Sequence, residues 1–137
     1  MTSWIALSLY AGWTLALLMA IVSLRAYLIL TRQRAPKRFA VTGEDVSAFS
    51  GRLCRAHANC YENLPVVAAL LLTAAMTGHQ DITESTALPL AFARIGQSTV
   101  HLSSTSNRAV LLRFTFFFTQ LAITAYWVIA LGLALIA

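Results

Sequence analysis

Charge of either sign is thin in this chain. Asp and Glu together number 5 among 137 residues, Lys and Arg number 10, and charged residues make up 11% of the whole. A soluble globular domain carries about a quarter. The 58% hydrophobic content is instead that of an integral membrane protein. Cysteine is scarcer still. Cys54 and Cys60 lie six apart on one expected helix and on different faces of it. That rules out a disulfide within the chain and leaves both as small packing residues. No cluster of His, Cys and carboxylate has metal-ligand spacing, so no metal site is expected. No Ser/His/Asp set and no Gly-rich phosphate loop is present. The net charge of +5 comes with no groove-reading motif, so a nucleic-acid partner is not expected either. Neither an internal repeat nor a low-complexity tract divides the chain, and residues 1–137 read as one domain.

What the chain has in quantity is long apolar segments. They cover Trp4–Leu30, Ala56–Thr77, Ala87–Leu102 and Ala109–Ile136. Each approaches the length of about 20 residues that crosses ~30 Å of hydrocarbon. The expected fold is all-α and membrane-integral, a bundle of four transmembrane helices. Met1-Thr2-Ser3 carries no cationic side chain and the first run is too long, which argues against a cleaved signal. The basic cluster Arg32, Arg34, Lys37 and Arg38 puts the first loop in the cytoplasm. A second loop over His79–Ser85 carries Asp81 and Glu84 with no Lys or Arg. The third turn, near Asn107, is flanked by Arg108 and Arg113. Both termini therefore fall on the non-cytoplasmic side, and the basic loop faces anionic headgroups of membrane lipids. Helix two is expected from Asp45 to Thr77, capped near Thr42, kinked at Pro65 and ended by Gly78. Helix three is expected from about Ser85, with Pro89 in its first turns. Tyr126 and Trp127 on helix four read as packing residues, and Phe114–Phe118 as lipid-facing or core.

Two polar stripes interrupt this apolar background. At 100° per residue, Arg52, Arg55, Asn59 and Glu62 fall within about 80° of one another. On helix three, Arg94, Gln97, His101 and Arg108 fall within about 60°. Arg25 adds a cation near the end of helix one. Polar groups entering a bilayer usually face a bundle interior or a wet cavity, and they mark function. Counting 1.5 Å per residue from the cytoplasmic ends puts Asn59, His101 and Arg25 at about 10 Å, Glu62 and Gln97 at about 15 Å, and Arg94 at about 20 Å. The layers match, so one elongated pocket closing at a Glu62–Arg94 pair is expected. Arg25, Arg55, Arg94 and Arg108 face a single carboxylate, Glu62. That excess of cation calls for an anionic ligand, and Glu62 with Asn59 suits an ammonium group on it. Arg52 shares the stripe but reaches solvent.

The pattern Arg55-Ala56-x-x-Asn59-x-x-Glu62-x-x-Pro65, with Arg25 upstream, resembles the MAPEG family of membrane-associated proteins in eicosanoid and glutathione metabolism. So does Phe92-Ala93-Arg94 followed by Arg108. The resemblance covers nearly the whole chain and is to a bacterial-type member, which implies the inner membrane. It further implies a homotrimer with glutathione bound between subunits. Arg55, Asn59 and Glu62 would be glutathione ligands, with Arg94, Gln97, His101, His57 and Asn63 as further candidates. Arg25 and Arg108 would lie near the thiol and stabilise its thiolate. Asn63 stands where the family often has tyrosine, and Gln97 and His101 stand where its leukotriene-synthase branch has two helix-three tyrosines. The implied activity is that of a membrane-bound glutathione transferase or peroxidase acting on a lipophilic electrophile or hydroperoxide. A thiol near 8.5 is mostly protonated at neutral pH, and a nearby guanidinium favours the anion. Two other readings stay open: a non-catalytic scaffold that binds glutathione or lipid, and a small transporter or proton relay through Glu62, His101 and Arg94.

Overall fold

The computed structural model describes residues 1–137 and is all-helical. The helices are α1 (Thr2–Leu30), α2 (Ala48–Met76), α3 (Asp81–Ser103) and α4 (Asn107–Ile136), with a short 3-10 turn at Pro36–Arg38. α3 packs on each of the other three, whereas α1 and α4 scarcely touch. α1 and α4 are long and apolar enough to cross a bilayer by composition alone. α2 and α3 fall short of that mark because they carry the polar stripes.

The core follows helical spacing. α1 buries Ser3, Ala6, Tyr10, Thr14, Leu17 and Ile21, every third or fourth residue. α2 answers with Leu53, Ala56, Cys60, Val67, Leu71 and Ala74, and α3 with Ala87, Leu90 and Ala91. Small residues at the contacts let backbones approach closely, which matters where lipid gives no hydrophobic drive between helices. Cys54 and Cys60 are both buried and free. α4 buries only Ala109, Gln120, Trp127 and Leu131. Trp127 is fully enclosed, and its indole N–H donates to Thr86 Oγ1 at 2.8 Å. Tyr126, expected to pack like Trp127, is half exposed instead, because the next residue along the helix points about 100° away.

Two boundaries differ from the sequence expectation. α2 starts at Ala48, not Asp45, with Ser47 Oγ accepting the Ser50 N–H at 3.0 Å. The Asp45 carboxylate is not free to cap. It receives Arg34 Nη2 at 2.5 Å and the Ala40 N–H at 3.2 Å. Residues 43–46 form a turn closed by the Val46 N–H on the Gly43 carbonyl. That turn requires glycine: Gly43 has φ +69°, and a Cβ there would stand 2.7 Å from both Cys54 Sγ and Ser50 Oγ. α3 starts at Asp81, about one turn early, and takes Glu84 into its first turn. There the Glu84 carboxylate meets the N-terminal ammonium and the Thr2 hydroxyl, and accepts the Thr2 N–H at 3.0 Å. This ties the start of α1 to the start of α3. Gly78, at φ +79°, ends α2 as expected, and α2 continues helically through Pro65.

Candidate functional site

The expected single pocket is split in the folded chain. Cys60 faces the core of α2 with no exposed surface. Glu62, two residues on, is rotated about 200° from it and points out of the bundle. Arg55, Asn59 and Glu62 thus form an open stripe on the outer face of α2. Glu62 forms no ion pair or hydrogen bond within the chain. Arg55 Nη2 reaches back to Glu44 Oε1 at 2.6 Å, a pair open to solvent on both sides. Beside the stripe, Asn63 Nδ2 donates to the Asn59 carbonyl at 2.9 Å. The His57 ring tilts against Tyr61 with centroids 5.3 Å apart.

Arg94 lies on the other side of α2 from Glu62, and the expected Glu62–Arg94 pair does not form. Arg94 is 2% exposed and is held from three helices. Its guanidinium sits 5.6 Å from the centroid of the Tyr10 ring on α1. Arg94 Nη1 donates to Gln97 Oε1 at 3.0 Å, and Gln120 Nε2 of α4 donates to that same oxygen at 3.0 Å. One amide oxygen therefore links α3 to α4 and orients the buried cation. Tyr10 in turn donates to the Cys60 carbonyl of α2 at 3.4 Å. Phenol and amide supply what a carboxylate was expected to supply.

Arg94, Gln97 and His101 line a cavity of about 380 Å³ between α2, α3 and α4. Asn59 stands in its wall and belongs to the outer stripe as well, so the two features meet there. The rest of the wall includes Ser98, Val110, Arg113, Phe114 and Phe117. Arg113 was expected only as a charge flanking the third turn. Here it is half buried, and its Nη1 contacts His101 Nδ1. A signal for it exists in the sequence: Arg113, Gln120 and Trp127 recur every seven residues, which keeps them within about 40° on one helix face.

Arg25, Arg52 and Arg108 lie outside this cavity. Arg25 donates to the Ala40 carbonyl at 2.8 Å and stacks on Phe39, which fastens the first loop to the end of α1. Arg52 Nε donates to the Leu102 carbonyl at 3.2 Å at the end of α3. It is partly buried, not the solvated side chain expected. Arg108 is exposed, at the second residue of α4, with no partner in the chain.

A helix bundle with a buried guanidinium at its centre and, on its outer face, a polar stripe whose carboxylate is unpaired defines a membrane protein with an embedded polar site. The chain matches the MAPEG family over residues 4–133, and it belongs to that family. It is accordingly a membrane four-helix bundle of a family associated with glutathione and lipids. Comparison with curated proteins and with solved structures gives no match.

Proposed function

We propose that this chain is a membrane-bound, glutathione-dependent transferase or peroxidase, assembled as a homotrimer in the bacterial inner membrane with both termini outside. The observation that carries the reading is the outer stripe of α2. Glu62 lies ten residues past Arg52, about 15 Å along the helix. An ionisable group at that depth cannot face lipid without heavy cost. A neighbouring copy covering the stripe removes the cost, and a bound peptide supplies the missing counter-charges. Glu62 and the Asn59 amide suit an ammonium group, and Arg55 suits a carboxylate if it exchanges Glu44 for the ligand. His57 and Asn63 flank the same surface. Gln97 and His101 reach it only by way of Asn59.

The chemistry assigned to Arg108 and Arg25 is thiolate stabilisation. Arg108 adds a full positive charge to the partial positive charge of the α4 N-terminus. A glutathione thiol held there would ionise more readily, and the thiolate would attack an electrophile or hydroperoxide arriving from the lipid phase. Because Arg108 is exposed, solvent screens it, and the shift should be roughly one to two pH units. Thiolate absorbance titrated in the glutathione complex checks this. In Arg108→Ala the midpoint should move up while affinity changes little. A midpoint that stays put in Arg108→Ala and moves in Arg25→Ala would transfer the role to α1.

The assembly has its own test. Native mass spectrometry in gentle detergent should show a trimer that binds glutathione. A stable monomer with undiminished glutathione affinity would overturn the shared site. The proton-relay reading has lost its geometry, since Glu62 and Arg94 lie on different sides of α2 and no hydrogen-bonded chain joins Glu62 to His101.

A further inference from the structure

Arg55, the cation of the α2 stripe suited to a ligand carboxylate, already holds a carboxylate of its own chain. Its Nη2 donates to Glu44 Oε1 at 2.6 Å. The loop that delivers Glu44 is fixed on both sides of it. Gly43 packs so closely on α2 that a Cβ would stand 2.7 Å from Cys54 Sγ and from Ser50 Oγ. The Asp45 carbonyl and carboxylate accept from Arg34 at 2.6 Å and 2.5 Å, and the same guanidinium lies 5.4 Å from the Phe39 ring centroid. Glu44 itself rests against Gly51, where a Cβ would come within 2.9 Å of Glu44 Cγ and 3.5 Å of its Cα. Gly51 and Arg55 are four residues apart and share a helix face. The bare backbone at Gly51 is therefore the track along which the Glu44 side chain reaches Arg55.

A guanidinium has five N–H donors, so geometry alone would let a second carboxylate approach Arg55. Charge opposes it. One cation neutralises one carboxylate, and a second beside it meets a like charge. At an interface sealed by a neighbouring copy, that surplus negative charge would lie out of water, where an unpaired ion is costly. Neither nearby arginine relieves it. Arg34 is committed to Asp45, and Arg52 Nε donates to the Leu102 carbonyl. The ligand and Glu44 therefore compete for one cation.

We propose that Glu44 is a built-in competitor that sets glutathione affinity: the ligand binds by exchanging its own carboxylate for that of Glu44 on Arg55. The inference rests on the glutathione reading of the α2 stripe. It adds a selectivity that the stripe alone lacks. While the pair is closed, Arg55 is neutralised, and it opens only to a ligand that brings a carboxylate. The side chains of Arg55 and Glu44 are 67% and 58% exposed, so the pair is weak and the competition is modest. A modest competitor delays no ligand for long, yet it keeps Arg55 from standing uncompensated in the empty protein.

The test is isothermal titration of glutathione into the full-length protein in phosphatidylcholine nanodiscs. Glu44→Gln keeps the Cγ that rests on Gly51 and removes only the charge. It should tighten binding about two- to fivefold, the scale of releasing an exposed ion pair before the ligand arrives. Gly51→Ala crowds Glu44 off its seat without altering any charge, and it should shift affinity in the same direction. Asp81→Asn removes an equal charge at the opposite end of α2 and should leave affinity unchanged. In Arg55→Gln glutathione should bind more weakly, and adding Glu44→Gln should then change nothing, because no cation is left to compete for. Weaker binding in Glu44→Gln would make Glu44 a positioning residue for Arg55 and overturn the proposal. So would a tightening that persists in the Arg55→Gln background, since Glu44 would then act by general repulsion of an anionic ligand. Wild-type binding that Glu44→Gln leaves unaltered sinks this inference alone. Absence of glutathione binding in the wild type and in every variant sinks the reading of the α2 stripe, and this inference with it.

Discussion

Glutathione binding should fall at least tenfold in Glu62→Gln, with the fold untouched. Glu62 makes no ion pair or hydrogen bond within the chain, so the substitution removes charge and little else. It is the one carboxylate on the outer stripe of α2, one turn from Asn59 and two turns from Arg55. If it takes the ligand ammonium at an interface sealed by a second copy, the truncated pair is desolvated and its loss costs about 2–5 kcal/mol. The control is glutathione lacking its amino group. That analogue should bind the wild type weakly and should lose little further in Glu62→Gln, because the partner is already absent. Isothermal titration of both ligands against both proteins completes the cycle. If the two ligands lose the same factor, Glu62 acts through the assembly and not through the ammonium, and the contact is wrong.

The second large effect is on stability. Trp127→Ala should destabilise the bundle by about 3–5 kcal/mol, the range for deleting a fully buried aromatic side chain. Trp127 is completely enclosed, and α4 has only a few other buried residues with which to hold its place. Its loss opens a void against α3 and leaves Thr86 Oγ1 without its donor. Trp127→Phe keeps most of the volume and should cost less, roughly 1–3 kcal/mol, mainly through the lost hydrogen bond. Val128→Ala, next along the helix but half exposed, should be close to neutral. Unfolding midpoints in detergent, followed by helical circular dichroism, order the three variants. If Trp127→Ala unfolds with Val128→Ala, α4 is not anchored at this point.

How α4 is anchored shows why some of this protein could be read from its residues and some could not. The apolar runs and their loop charges were enough to count four helices. The pattern through Arg55, Asn59, Glu62 and Pro65 was enough to suggest the family. Residues on one helix are spaced at about 100°, so which of them share a face is written in the chain. The stripes on α2 and α3 were legible for that reason.

What that spacing does not say is where each face points once helices pack. Arg94 and Glu62 were matched by depth and by charge, yet the rotation of α2 about its own axis separates them. That rotation is set by Ala56, Cys60 and Val67 entering the core, contacts that exist only when α1 and α3 are present. Arg94 then meets Tyr10 and Gln97 instead of a carboxylate. α2 was expected to start at Asp45 with a cap near Thr42, but Arg34 reaches Asp45 across the folded loop, and Ser47 caps α2. Arg113 was visible as a charge beside a turn. Only the packing of α4 on α3 turns it toward His101 and makes it a wall of the cavity. Periodicity within a helix is a property of the chain alone. The azimuth of one helix against another is decided by which small side chains let two backbones come close, and that is a property of the assembled bundle.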